Sequence, residues 1–204
     1  MLTIIIPAKP FTEAKTRLAP LLSPGQRVEL SRRLLQRTIR VAAQICPVLV
    51  ISQGAEVEQA AVQAGAGFLF EAQPGLNPAL RQAIAWATGQ GADRVLILPA
   101  DLPYLSGDSL RKLVACGEEQ GPGIVIAPCH QNRGTNALYL SPPDVIQPSF
   151  GLNSLQAHRQ AARLKGIPAI LFHAPELAFD LDTPQDWRRL AKTRPEFYKI
   201  PFDK

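Results

Sequence analysis

The chain has 204 residues, 46% of them apolar and 19% charged, with 14 Gly and 19 Pro. This composition excludes a disordered tail, a collagen-like repeat and a coiled coil, and the length suffices to bury one full core without staples. Lys plus Arg outnumber Asp plus Glu by 22 to 17; the net charge of +5 favours anionic ligands but is mild for a nucleic-acid binder. Cys46, Cys116 and Cys129 are far apart and form no C-x-x-C, as expected of reduced thiols. The apolar start Leu2–Ile6 stops at Pro7, too soon for a signal-peptide core, and no stretch reaches the ~18 apolar residues of a membrane helix. We therefore expect a single domain over residues 1–204, cytoplasmic, with no membrane and no nucleic-acid partner.

Taken in order, the chain alternates short apolar runs with helical patterns. Leu2–Ile6 reads as a strand covered on both faces. Ser23-Pro24-Gly25-Gln26 has the spacing of a capping box with Pro at the first helical position, and Val28, Leu35, Ile39 and Ala42 continue at helical spacing. Strands are expected at Val48–Ile51, Phe68–Phe70 and Val95–Leu98, with helices at Glu56–Ala64 and Leu80–Thr88 between them, stopped by Gly65 and Gly89. Further on come a helix at Ser109–Ala115, strands at Ile124–Ala127 and Ala137–Leu140, and a helix from Ser154 to Lys165. Strands at Ala169–Phe172 and Ala178–Leu181 precede a last helix opened by Thr183-Pro184-Gln185-Asp186. This alternation predicts an α/β fold, a three-layer sandwich on a mostly parallel mixed sheet, with the hairpin-like 124–140 stretch supplying an antiparallel strand.

In such a sheet ligands bind beyond the carboxyl ends of the strands. After the first strand stand Lys9, Lys15 and Arg17, in a loop with neither the P-loop nor the G-x-G-x-x-G pattern. Three cations there suit phosphate, although a solvated surface loop has the same composition. After the fourth strand Asp101 is set between Pro99 and Pro103, where a carboxylate suits a metal; Ser106 and Asp108 are better placed to cap the next helix. Asp180 and Asp182, two apart on an expected strand, would present two carboxylates on one face, which repel unless a cation intervenes. Hard oxygen ligands of this kind suit Mg²⁺. Thr135, in Gly134-Thr135-Asn136, and the Phe150-Gly151-Leu152-Asn153-Ser154 helix entry offer an anion site, with Ser154 as a plain N-cap the alternative. Gly75-Leu76-Asn77 is a weaker signal that a simple turn would also explain. His130, His158 and His173 lack ligand spacing, no G-x-S-x-G supports a serine hydrolase, and aromatics are too few for a base-stacking platform.

Taken together, the Pro7-Ala8-Lys9-Pro10 and Lys15-Thr16-Arg17-Leu18 segments, Gly75-Leu76-Asn77, Pro99-Ala100-Asp101-Leu102-Pro103, Gly134-Thr135-Asn136-Ala137-Leu138, Phe150-Gly151-x-x-Ser154 with His158, and Asp180-Leu181-Asp182-Thr183-Pro184 resemble a known family. The sequence is similar, through nearly its whole length, to the guanylyltransferases of coenzyme F-420 biosynthesis, which activate 2-phospho-L-lactate or phosphoenolpyruvate with GTP. The resemblance implies a nucleotidyltransferase fold related to the nucleotide-diphospho-sugar transferases. It maps Asp101, Asp180 and Asp182 onto the metal-binding carboxylates and Thr135, Gly151 and Ser154 onto the phospho-acid site. Lys9, Lys15, Arg17, Gly75 and Asn77 are then the nucleotide-binding candidates, and Asp101, Lys15 and Arg17 the catalytic ones. It departs at Cys129-His130, where an acidic residue is expected, and leaves the choice of acid open; a homodimer is left open too.

The chemistry is coherent with these residues. A phosphate is already an anionic nucleophile at neutral pH, so joining it to GMP requires no general base; what is required is neutralisation where two polyanions meet. Two rival expectations are a sugar-nucleotide glycosyltransferase, since Asp180-Leu181-Asp182 is a D-x-D, and a nucleotide sensor without catalysis, for which three acidic ligands beside a cationic loop are more than binding requires.

Overall fold

The computed structural model describes residues 1–193. Leu2–Pro7 (β1) is buried as expected of an inner strand, and its period of two divides the molecule. Ile4 and Ile6 enter one apolar core and Ile5 the other, all three fully buried, each contributing roughly 1.5–3 kcal/mol. The other strands are Val48–Ser52 (β2), Gly67–Phe70 (β3), Arg94–Ile97 (β4), Gly123–Pro128 (β5), Thr135–Ser141 (β6) and Ala169–Leu171 (β7). They hydrogen-bond in the order β3-β2-β1-β4-β6-β5-β7. Only β6 runs against its neighbours β4 and β5; the other pairings are parallel. The expected mixed, mostly parallel sheet and its antiparallel 124–140 hairpin are thus observed.

Helices cover both faces. Pro24–Ala42 (α1), Ala55–Gln63 (α2) and Gly107–Gln120 (α4) pack with Ile4 and Ile6. Leu76–Gly89 (α3) and Ser154–Leu164 (α5) pack with Ile5. The Ser23 box forms as its spacing predicts: Gln26 N–H donates to Ser23 Oγ and Ser23 N–H to Gln26 Oε1. Ser106 caps α4 in the same manner with Ser109. A third, smaller core joins Leu18, Leu30, Phe179, Leu181, Trp187 and Leu190, tying the turn after Lys15 to α1 and to the last helix, Pro184–Thr193 (α7).

Three expectations need correction. Ala178–Leu181 is not a strand: Pro175–Ala178 (α6) is a short helix, and the chain then runs irregularly to Thr183. Leu177, Phe179 and Leu181 are buried in alternation, so the period of two reports burial, but the Leu181 N–H pairs with the Asp101 carbonyl at 3.0 Å instead of with a sheet ladder. α3 begins at Leu76, not Leu80, because Pro78 falls in a first turn whose N–H groups have no helical partner to lose. Ser154 is not the N-cap of α5: Asn153, in the left-handed region at φ 60°, takes that place, and Ser154 is the first helical residue. Among the described residues no helix is long and apolar enough to cross a membrane.

Candidate active site

The strand order reverses between β1 and β4, and the carboxyl ends of these two strands open a cleft of about 570 Å³. Because β6 is antiparallel, its first residues Thr135 and Asn136 lie at this same edge. Lys9, Lys15, Arg17, Asp101, Thr135 and Asp182 all line the cleft, together with Glu71, Leu76 and Phe150. Residues up to 173 positions apart in sequence thus converge. Gly75, Asn77, Gly151, Ser154 and Asp180 are not among the residues lining it.

Two cation–carboxylate pairs dominate the geometry. Lys15 holds a left-handed backbone at φ 52°, a strained conformation for a residue with a Cβ, and this turns its nearly buried side chain inward. Its Nζ donates to Asp101 Oδ2 at 2.8 Å. Arg17, on the next short turn, donates from Nη1 to Asp182 Oδ2 at 2.5 Å. Asp101 is fixed from both sides: Thr38 Oγ1 donates to the Ala100 carbonyl at 3.4 Å, and the Asp101 carbonyl receives the Leu181 N–H. Lys9 is exposed on the cleft rim.

Asp180 lies just behind. Its Oδ1 accepts from Asn136 Nδ2 at 3.2 Å and is 4.0 Å from His130 Nδ1. Burial raises its pKa above the ordinary carboxylate value, and the like charge of Asp101 adds to the rise. Asn136 also donates to the Leu177 carbonyl at 2.9 Å, so one buried amide sets the 177–180 segment against β6. An all-oxygen set of Asp101, Asp180 and Asp182 has the donor chemistry that suits a hard divalent cation, and the repulsion between Asp180 and Asp101 is what such a cation would relieve. With Lys15 and Arg17 on two of the carboxylates the set is spread: among the described residues no three His, Cys, Asp or Glu side chains are grouped for a metal.

On the far wall Thr135 of β6 and Phe150 of the 149–153 loop reach the cleft, with the start of α5 packed behind them. The Leu155 N–H donates to the Arg133 carbonyl at 3.1 Å, bringing the start of α5 to the turn before Thr135. Gly151, at φ 140°, accepts the Ser154 N–H on its carbonyl at 3.2 Å, in a backbone conformation that side chains resist. Ser154 is buried beside them. Asn77 clips this loop from α3: its Nδ2 donates to the Phe150 carbonyl at 2.9 Å and its Oδ1 accepts the Phe150 N–H at 2.7 Å. Both polar atoms of the Asn77 amide are thus engaged with the Phe150 backbone, and Asn77 is not among the residues lining the cleft.

Sequence reasoning had no role for Asn136 or His158, and missed the lining residue Glu71. A buried Asn entering a strand, and a His four residues after Ser154 on the same helical face, were the available signals. At Cys129-His130 the thiol accepts the Gly134 N–H at 3.1 Å and closes the turn, while His130 faces Asp180.

The family described as guanylyl transferase CofC like matches residues 2–191. The phosphoenolpyruvate guanylyltransferase of Sphaerobacter thermophilus is 39% identical over 194 residues, covering 94% of this chain and 93% of that protein. That of Rubrobacter xylanophilus is 38% identical over 188 residues, covering 91% of each. The 3-phospho-D-glycerate guanylyltransferase of Colwellia psychrerythraea is 31% identical over 191 residues, covering 92% and 90%. Among solved structures, one described as a nucleotide-diphospho-sugar transferase, from Desulfovibrio desulfuricans G20, superposes with a TM-score of 0.78 at 18% identity, covering 97% of this chain and 90% of its own. CMP:2-keto-3-deoxy-manno-octonic acid synthetase superposes at 0.65 with 14% identity, covering 96% and 98%. These two share the fold, and the sequence relatives carry the assignment: the chain belongs to the CofC-like guanylyl transferase family.

Proposed function

We propose that this chain joins GMP from GTP to the phosphate of a small phospho-acid, phosphoenolpyruvate or 2-phospho-L-lactate, with release of pyrophosphate, in coenzyme F-420 biosynthesis. The observation that carries this reading is the pair of ion pairs lining one cleft, Lys15–Asp101 and Arg17–Asp182. Each cation is held neutralised until polyanions enter. Lys15 and Arg17, with Lys9 at the rim, then bind the triphosphate, Arg17 by its two-pronged guanidinium. Asp101 and Asp182, released from those partners, would with Asp180 hold Mg²⁺, which supplies charge neutralisation at the triphosphate. Gly75, whose neighbour Leu76 lines the cleft at the start of α3, is assigned to the nucleotide in this reading.

On the opposite wall Thr135, Ser154 and the backbone at Gly151 hold the acid's phosphate. A phosphate oxygen attacks the α-phosphorus of GTP; the new P–O bond forms as the bond from the α-phosphorus to the bridging oxygen breaks, and pyrophosphate leaves with the electron pair. The nucleophile is anionic from the outset, so catalysis is positioning and electrostatics. The chain acts in this reading as a cytoplasmic enzyme.

Mass spectrometry after incubation with GTP, Mg²⁺ and a panel of phospho-acids tests it. The panel includes 3-phospho-D-glycerate, because a 31%-identical relative bears that name. The expected result is a guanylylated acid plus pyrophosphate, with preference for GTP over the other nucleoside triphosphates. Acid-independent turnover, or activity only with a sugar nucleotide and release of a nucleoside diphosphate, would overturn the reading.

A further inference from the structure

We infer that His158 is a positioning residue: it fixes the Thr135 hydroxyl as a hydrogen-bond donor available to the cleft, matching that wall to the anionic end of the acceptor acid. The inference rests on the reading that Thr135 contacts the acid. His158 is fully buried on the first turns of α5 and bridges two other segments. On one side its Nε2 lies 2.9 Å from the backbone N of Ser149. On the other its Nδ1 lies 3.0 Å from Thr135 Oγ1. The Phe150 ring packs edge-on against it, with centroids 5.0 Å apart.

A backbone N–H can only donate, so Nε2 must present its lone pair. In the neutral ring the proton then resides on Nδ1. Nδ1–H therefore donates to Thr135 Oγ1, and the Thr135 hydroxyl hydrogen is directed elsewhere. Among the described residues no other partner for this hydroxyl is present, and Thr135 lines the cleft. Its hydrogen is thus left to be offered into the cleft, to water or to a bound ligand. Ionised phosphate and carboxylate oxygens only accept, so a wall whose hydroxyl is locked as donor is complementary to them. An imidazolium would set N–H against the Ser149 N–H; burial opposes that form as well, pushing the His158 pKa down to about 4.

Two measurements test this. The first needs no substrate: long-range ¹⁵N–¹H spectra of ¹⁵N-histidine-labelled protein at neutral pH, with His158 assigned by loss of its signals in His158→Asn. The expected ring has Nδ1 protonated and Nε2 bare; a protonated Nε2 overturns the inference. The second is a double-mutant cycle read as separate saturation curves for acid and GTP. Thr135→Val and His158→Leu should each raise the acid KM by about tenfold, the range expected for a hydrogen bond to a charged group, with the GTP KM unchanged. The double variant should be no worse than Thr135→Val. His158→Asn, whose amide N–H₂ takes the place of Nδ1–H, should recover most of the acid affinity. Additive effects in the double variant, or equal rises in both KM values, overturn the inference alone. A Thr135→Val enzyme with parental acid saturation overturns the acid placement and the inference with it. If His158→Leu does not fold, His158→Asn and the tautomer spectrum still decide.

Discussion

Asp101 combines the two features that made it visible in the sequence: it follows the apolar run Val95–Leu98, and it is set between Pro99 and Pro103. Its partner was not visible. Lys15 reaches it from 86 positions away, through a left-handed backbone that sequence patterns do not announce at a lysine. Asp101→Asn should leave a folded protein whose turnover falls by orders of magnitude, since losing one charge where polyanions meet removes several kcal/mol of transition-state stabilisation. Near-parental turnover by the folded variant at saturating Mg²⁺ contradicts the role. Asp180 makes the complementary case. Its folded-state pKa is raised, by burial first and Asp101 second, so its ionised form works against the fold as pH rises through that pKa. Asp180→Asn should therefore melt above the parent at neutral pH, the difference vanishing in acid where both side chains are neutral, while activity drops. Melting curves across pH, beside a turnover assay, check both halves; a variant less stable at neutral pH refutes the electrostatic account.

At the scale of elements, apolar runs and caps were legible because they depend on neighbours in sequence: β1, β2 and the Ser23 box stand where pattern predicts. Residues 178–181 show the limit. Alternation there reports burial of Phe179 and Leu181, but whether a buried extended segment joins a ladder depends on a partner 80 residues away. The Gly75-Leu76-Asn77 signal was similarly half legible. It marks the start of α3, yet its purpose is the two-bond clip onto Phe150. Asn77→Ala removes both bonds from a partly buried site, a loss of about 1–3 kcal/mol in stability. The functional effect should fall on the acid KM, because the loosened loop carries Gly151 and leads into Ser154. A rise confined to the GTP KM would return Asn77 to the nucleotide side.

The whole molecule ties the Thr135 wall of the cleft to its global stability through His158, which bridges α5, β6 and the Ser149 backbone in one buried ring. An ordinary histidine titrates near 6.5, and this one is held down to about 4 by burial. The sign follows directly. A depressed folded-state value means that the neutral ring is favoured by folding, a contribution fully present above 6.5 and lost progressively as pH falls toward 4. The unfolded chain gains a proton that the fold refuses, and the full difference amounts to about 3 kcal/mol. His158→Asn cannot titrate. The prediction is thus a narrowing: the parent is more stable at neutral pH, where the ring makes both hydrogen bonds, and loses that advantage over the variant as pH falls from 6.5 toward 4. Urea midpoints at matched pH values, taken for both proteins, measure the difference directly and cancel the carboxylates that titrate in both. The gap between the two should shrink monotonically through that window. A gap independent of pH would mean that the ring titrates alike in the folded and the unfolded chain, so that the fold does not hold it neutral as the Ser149 N–H on Nε2 requires.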